Sequence, residues 1–150
     1  VVTIRRILVP TDFSAHARPA LRYAVELADK FAAELILLHV VADAVLALPD
    51  AVMPTPTPLD ELHELTAAAE ERLAKLIAAE KLAARHPRVE VRIGSPAAEI
   101  VAAATDLHAD LVCIATHGRG GIARVLLGSV AEHVIRQAPC PVLTVRPPHE

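Results

Sequence analysis

The sequence is poor in the residues that build stacked rings, cross-links and flexible joints: in 150 residues there are no Trp, one Tyr, two Phe, one Met, five Gly and two Cys. So few aromatics argue against the base-stacking platforms of single-stranded nucleic acid binders. Cys113 and Cys140 sit in separate apolar runs, with neither metal-ligand spacing nor a redox pair between them, and both read as buried reduced thiols. A formal charge of −3 and a pI near 6.2 remove the electrostatic reason to expect nucleic acid or an anionic membrane as partner. No stretch approaches the ~18 apolar residues of a membrane span. The first residues, VVTIRRILVPTD, run directly into a strand-like segment without the pattern of a cleaved signal peptide, so the cytoplasm is the expected location.

What is present is aliphatic. Hydrophobic residues make up 53% of the chain, and the core must come from Ala, Val, Leu and Ile. The length suits one domain over residues 1–150 that buries its core without staples. Short β-branched runs predict five strands at Ile4–Val9, Leu35–Val40, Val89–Ile93, Leu111–Ala115 and Val142–Val145. Helical spacing fills the gaps at Ala17–Ala32, Leu59–Ala84, Ala97–Leu107 and Val130–Gln137. The second of these helices carries Leu62, Leu65, Ala69, Leu73, Leu76 and Ile77 on one face, and the charges along Glu61–Lys81 read as its solvated side. Caps are expected from Ser14, from Ser95 before Pro96, from Thr57 before Pro58, and from a capping box of Ser129 with Glu132.

Alternating strands and helices with near-continuous apolar strands predict a doubly wound α/β fold, a parallel sheet covered on both faces. Ligands of such sheets bind outside the carboxyl ends of the strands. The loops after strands one and four are therefore the places to search. One long segment, Val41–Pro58, holds four prolines and reads as a lid over a ligand, a flap that touches a partner, or a surface-packed linker.

The strongest constellation follows strand four: Ala115, Thr116, His117 and Gly118, then Arg119 and Arg124 in the loop, then Gly128, Ser129 and Val130 opening a helix. A helix start offers unpaired N–H groups and partial positive charge to an anion. On spacing alone the alternative stands beside it, that Gly118, Gly120 and Gly121 form a turn and Ser129 caps its helix. No Walker loop and no dinucleotide fingerprint is present. Asp12, after strand one, is suited to accept from ribose or adenine groups, or else orders its own turn. No catalytic triad or metal-ligand set is visible around His39 and His117, so no catalytic or metal residue is assigned. His16 and His133 read as helix-surface or interface residues.

Read together, Ile7–Ser14 (ILVPTDFS), Leu37–Val40 (LLHV) and Ala115–Val145 (ATHGRGGIARVLLGSVAEHVIRQAPCPVLTV) resemble the universal stress protein family in order and position, over essentially the whole chain. The resemblance implies a five-stranded parallel sheet in the order 3-2-1-4-5 and, as in many members, ATP held through G-x-x-G, nine residues, G-(S/T). It implies that Asp12 and the backbone near Val40 hold adenine and ribose, with Pro10 and Thr11 shaping the pocket. Gly118, Gly128, Ser129 and Val130 would meet the phosphates, with Ala115, Thr116, His117 and Arg119 beside them. Ala115 departs from the pattern, since nucleotide-binding members carry the first glycine there, and its methyl narrows the approach to the ribose or first phosphate. The implied ligand is ATP, with Mg2+ as companion ion, or AMP or ADP. The implied role is a nucleotide-responsive stress regulator with at most slow hydrolysis. Its alternatives are a protein-interaction module without nucleotide and a weak ATPase or phosphotransferase. The implied partners are a second copy, joined through the last strand, and a protein that the residues do not identify.

Overall fold

The computed structural model describes residues 1–42, 57–117 and 127–148. In chain order these form β1 (Arg6–Pro10), a 3-10 turn (Ala15–Ala17), α1 (Arg18–Phe31), β2 (Glu34–Ala42), α2 (Leu59–Ala79), a second 3-10 turn (Ala83–Arg85), β3 (Arg88–Gly94), α3 (Pro96–Asp106), β4 (Leu111–Ala115), α4 (Ser129–Gln137) and β5 (Val142–Val145). All strand pairs are parallel and the order is β3-β2-β1-β4-β5, the doubly wound sheet expected from the alternation of elements. Every predicted strand and helix is found, with ends displaced by a few residues, as fraying ends are. Most of the proline-rich segment lies outside the described residues; its first two residues, Val41 and Ala42, extend β2.

Side chains alternate across the strands and so supply two cores. Ile7, Val9, Leu35, Leu37, Leu111 and Cys113 pack with Leu21 of α1 and with Leu73 and Leu76 of α2. Leu8, Ile36, Leu38, Val112 and Ile114 pack on the other face with Ile100 of α3 and Val134 of α4. In β1, Ile7, Leu8 and Val9 are wholly buried, as a central parallel strand covered by helices on both sides must be. The contact faces of the helices are largely alanine: Ala20, Ala24 and Ala28 in α1, Ala103 and Ala104 in α3, Ala131 in α4. Small residues there let helices sit close to the aliphatic sheet, which accounts for a core built almost without rings.

Asp110 fixes how β1 and β4 enter the sheet. Its Oδ2 accepts the N–H groups of Arg5 at 2.8 Å and Arg6 at 3.0 Å, while its own N–H donates to the Arg6 carbonyl at 2.9 Å. The register Ile7 to Leu111 follows directly.

The expected caps form differently. Gly128 takes the N-cap position of α4 and Ser129 is its first helical residue, with no side-chain cap bond. The capping box is therefore not made. Pro58 stands at the N-cap of α2, so Thr57 falls outside, and Ser95 stands at the N-cap of α3 without a side-chain bond, although Pro96 opens that helix as predicted. Ser14 precedes the first 3-10 turn but caps nothing. No helix among the described residues is long and apolar enough to cross a membrane.

Both cysteines are free; Cys113 is buried and Cys140 half-buried. The Cys113 thiol donates to the Ala20 carbonyl at 3.3 Å, and burial pushes its pKa up to about 12. Burial and then the Asp110 carboxylate also raise the Cys140 pKa, against the opposing hydrogen bond to the Val112 backbone. Since the thiolate is the reactive form, Cys113 should label with a disulfide reagent at pH 8 only after unfolding. Cys140 should label slowly in the native protein and faster in Asp110→Asn. Rapid native labelling of two thiols would contradict this packing.

Candidate functional site

The two central strands that diverge to different helices end side by side in polar residues. Thr11 follows β1 and Thr116 follows β4, and they are the buried polar side chains among the described residues. Each is used fully. The Thr11 N–H donates to the Leu38 carbonyl at 2.8 Å, its hydroxyl accepts the Phe13 N–H at 3.0 Å, and its carbonyl accepts the Nδ1–H of His39 at 2.8 Å. The Thr116 N–H donates to the Val145 carbonyl at 3.0 Å, and its carbonyl accepts the Gly128 N–H at 2.6 Å. Its hydroxyl lies 2.8 Å from Nδ1 of His117.

The turn after β1 is held by its own side chains. Oδ1 of Asp12 accepts the Ser14 N–H at 2.9 Å, so Asp12 does order its turn, the task that Ser14 was expected to share. Between these residues Phe13 is held at φ 64°, a left-handed conformation that a bulky residue adopts only when its surroundings enforce it. Its ring lies against His39, with centroids 4.5 Å apart, and the Arg72 guanidinium sits 4.2 Å above it.

Around these strand ends lies a cavity of about 800 Å³ lined by Pro10, Thr11, Asp12, Val40, Ala115, Thr116, His117, Gly128, Ser129 and Val130. The predicted site residues on β1, β2, β4 and α4 thus meet in one space. Gly118, Arg119 and Arg124 lie outside the described residues. The sequence reading missed the wall supplied by α2, where Leu65, Ala68, Ala69 and Arg72 face the cavity. Their i, i+3, i+4, i+7 spacing marks one helix face, a signal present in the sequence but absorbed into the amphipathic stripe and the solvated charges. Pro96 and Ile100 of α3 and His39 also line it. His39 joins the ends of β1 and β2 through its Thr11 bond, whereas His16 and His133 are exposed on helical turns.

The start of α4 brings backbone N–H groups to the cavity wall. Its first internal bond runs from the Glu132 N–H to the Gly128 carbonyl at 2.9 Å. The N–H groups of Ser129, Val130 and Ala131 therefore belong to the first turn, where no carbonyl of the helix can take them. Gly128 differs from the expectation, because its own N–H is spent on Thr116. A Cβ at Gly128 would stand 2.9 Å from that same carbonyl oxygen, so glycine is demanded by the approach of two backbones, with or without a ligand. Among the described residues no three His, Cys, Asp or Glu side chains come together as a metal site.

Residues 3–146 match the model of the universal stress protein family. The universal stress protein MJ0531 of Methanocaldococcus jannaschii is 36% identical over 147 residues, which cover 96% of this chain and 83% of that protein. MJ0577 of the same organism is 30% identical over 156 residues, covering 97% and 96%, and its solved structure superposes with a TM-score of 0.79 over 99% of this chain and 100% of that one. The universal stress protein UspA from Lactobacillus plantarum superposes with a TM-score of 0.75 at 28% identity, covering 97% and 100%. A universal stress protein crystallised in complex with cAMP shares the fold at 23% identity and a TM-score of 0.59, covering 95% and 97%.

Overpacking against backbone costs ~1–3 kcal/mol. Gly128→Ala should lose about that much in denaturant unfolding without any ligand, while Ser129→Ala, whose side chain makes no cap bond, should lose little.

Proposed function

The chain belongs to the universal stress protein family, and we propose that it binds an adenine nucleotide and acts as a nucleotide-responsive regulator of the stress response. The observation that carries this reading is the shared cavity, which places the Asp12 carboxylate and the first turn of α4 within one space of about 800 Å³. That volume lies in the usual range of small-ligand sites, ~300–1,000 Å³.

Phosphates sit at the α4 start, where first-turn amides and the helix dipole favour anions. Ser129 and Val130 supply those amides, and Gly128 acts by letting the backbones close rather than by donating; Gly118 and Arg119 belong to the same proposal but lie outside the described residues. Asp12 accepts from ribose or adenine groups, and the backbone at Val40 borders the base. ATP with Mg2+ is the ligand this arrangement suits, and AMP or ADP would leave part of the phosphate region to water. The cAMP held by a protein of the same fold is also an adenine nucleotide.

Hydrolysis is at most slow. Efficient phosphoryl transfer needs positioned metal ligands and a residue that orients the nucleophile, and among the described residues the pocket offers Asp12, Thr116 and His117 rather than a cluster of metal ligands. Ala115, which lines the cavity, favours a second reading, an interaction module that does without nucleotide because the methyl crowds the ribose. Occupancy, on the first reading, alters the surface shown to a protein partner in the cytoplasm.

Nucleotide released on denaturing the purified protein, and a thermal shift with Mg-ATP, are the expected results. Asp12→Ala should weaken binding about 10- to 100-fold, the worth of a charge-assisted hydrogen bond, and Ala115→Gly should tighten it. Absence of both released nucleotide and a shift at millimolar ATP would leave only the interaction module. Gly128→Val, in contrast, tests the fold as much as the ligand.

The strand β5 closes the β4 side of the sheet, and Val142, Leu143 and Thr144 are half-buried. An edge of this kind pairs readily with another strand, and a homodimer through β5 follows as part of the proposal. Sedimentation equilibrium should return the dimer mass; a monomer at every concentration would refute it.

A further inference from the structure

A second, smaller cavity of about 230 Å³ opens between the start of α1 and the last turns of α2. Its floor is apolar, formed by Phe13, Ala17, Leu21 and Leu76. Its charged lining is of one sign. Arg18, Arg72 and Lys75 contribute three cations, and among the described residues no carboxylate lines it. Arg72 is held over the Phe13 ring. Lys75 meets Glu71 at 3.2 Å, but both side chains are about 70% exposed, and such surface pairs are weak and easily exchanged. At the same wall the Ser14 hydroxyl is buried without a hydrogen-bond partner among the described residues, although buried polar groups are nearly always satisfied.

We propose that this cavity is a binding site for a small organic anion, one with a short apolar body and a carboxylate or phosphate head. The body would cover Leu21 and Leu76 and the head would lie among Arg18, Arg72 and Lys75, with Ser14 beside it. The volume falls below the ~300 Å³ at which drug-sized ligands begin, which limits the occupant to a body about the size of a single ring or a short chain. Thr11, Ala17 and Arg72 line both cavities. An anion that draws on Arg72 therefore changes the wall of the larger one through the Phe13 stack. The inference stands without the nucleotide reading, because Arg18, Lys75 and Ala79 line the smaller cavity alone.

Benzoate, phenyl phosphate, benzyl alcohol and inorganic phosphate, titrated in turn into the nucleotide-free protein and followed by amide chemical shifts, test it. Benzoate or phenyl phosphate should give saturable shifts centred on Ser14, Leu21 and Leu76, with a Kd on the order of 1 mM. Whichever of the two binds more tightly identifies the head group. Benzyl alcohol, which lacks the charge, and inorganic phosphate, which lacks the body, should each bind more weakly. Arg18→Gln and Lys75→Gln should each weaken binding about two- to five-fold, the usual worth of an exposed charge pair, and Ala79→Phe, which fills the cavity from the end of α2, should abolish it. Absence of saturation by either anion at about ten times that concentration would overturn the proposal. So would equal binding of benzyl alcohol, or shifts centred on Asp12, Val40 and Gly128 instead.

Discussion

The structure depends on the burial of β1 from both sides. Ile7, Leu8 and Val9 have no exposed surface, so between Arg6 and Pro10 the central strand offers neither a polar side chain nor an edge. Each backbone group must be met by β2 or β4, and each side chain by a helix. The chain can turn polar only where the strand stops. Thr11 and Thr116 are placed at those stops, and their hydroxyls and backbone groups tie the sheet to Phe13, His39, His117 and Gly128 around the larger cavity. The site is thus a consequence of how the core ends.

Much of what surrounds the cavity serves two purposes at once. Asp12 orders the turn after β1 and also lines the cavity. Gly128 lets the start of α4 close on Thr116, and that closure sets the first turn of the helix against the cavity. His39 bridges β1 to β2 and supports the Phe13 ring, which in turn carries Arg72. A ligand bound in either cavity would meet residues whose positions also hold the fold, so occupancy and conformational stability are linked by mass action.

The strands, the helices and their alternation were legible because an aliphatic sheet buried on both faces imposes runs such as ILV and LILL, and because proline and glycine punctuate what lies between. The cavity lining from β1, β2, β4 and the α4 start was legible through the resemblance of three segments to a known family. The caps were less so. Ser129 with Glu132 has the sequence of a capping box, yet the Gly128 N–H bond to Thr116 moves the helix start back and leaves Ser129 inside the first turn. Arg72 was read as a solvated charge, since a helical stripe tells which residues face inward but not which element they meet.

By itself the sequence determined the class of fold, the burial of its core and the two strand ends at which polar residues gather, because hydrophobic periodicity and turn residues are local properties of the chain. The tertiary structure alone decided that α2 closes the cavity with Leu65, Ala68, Ala69 and Arg72. It also set a second, cation-rimmed cavity against the first. Those arrangements arise from contacts between elements distant in the chain, where packing rather than local preference selects the neighbour.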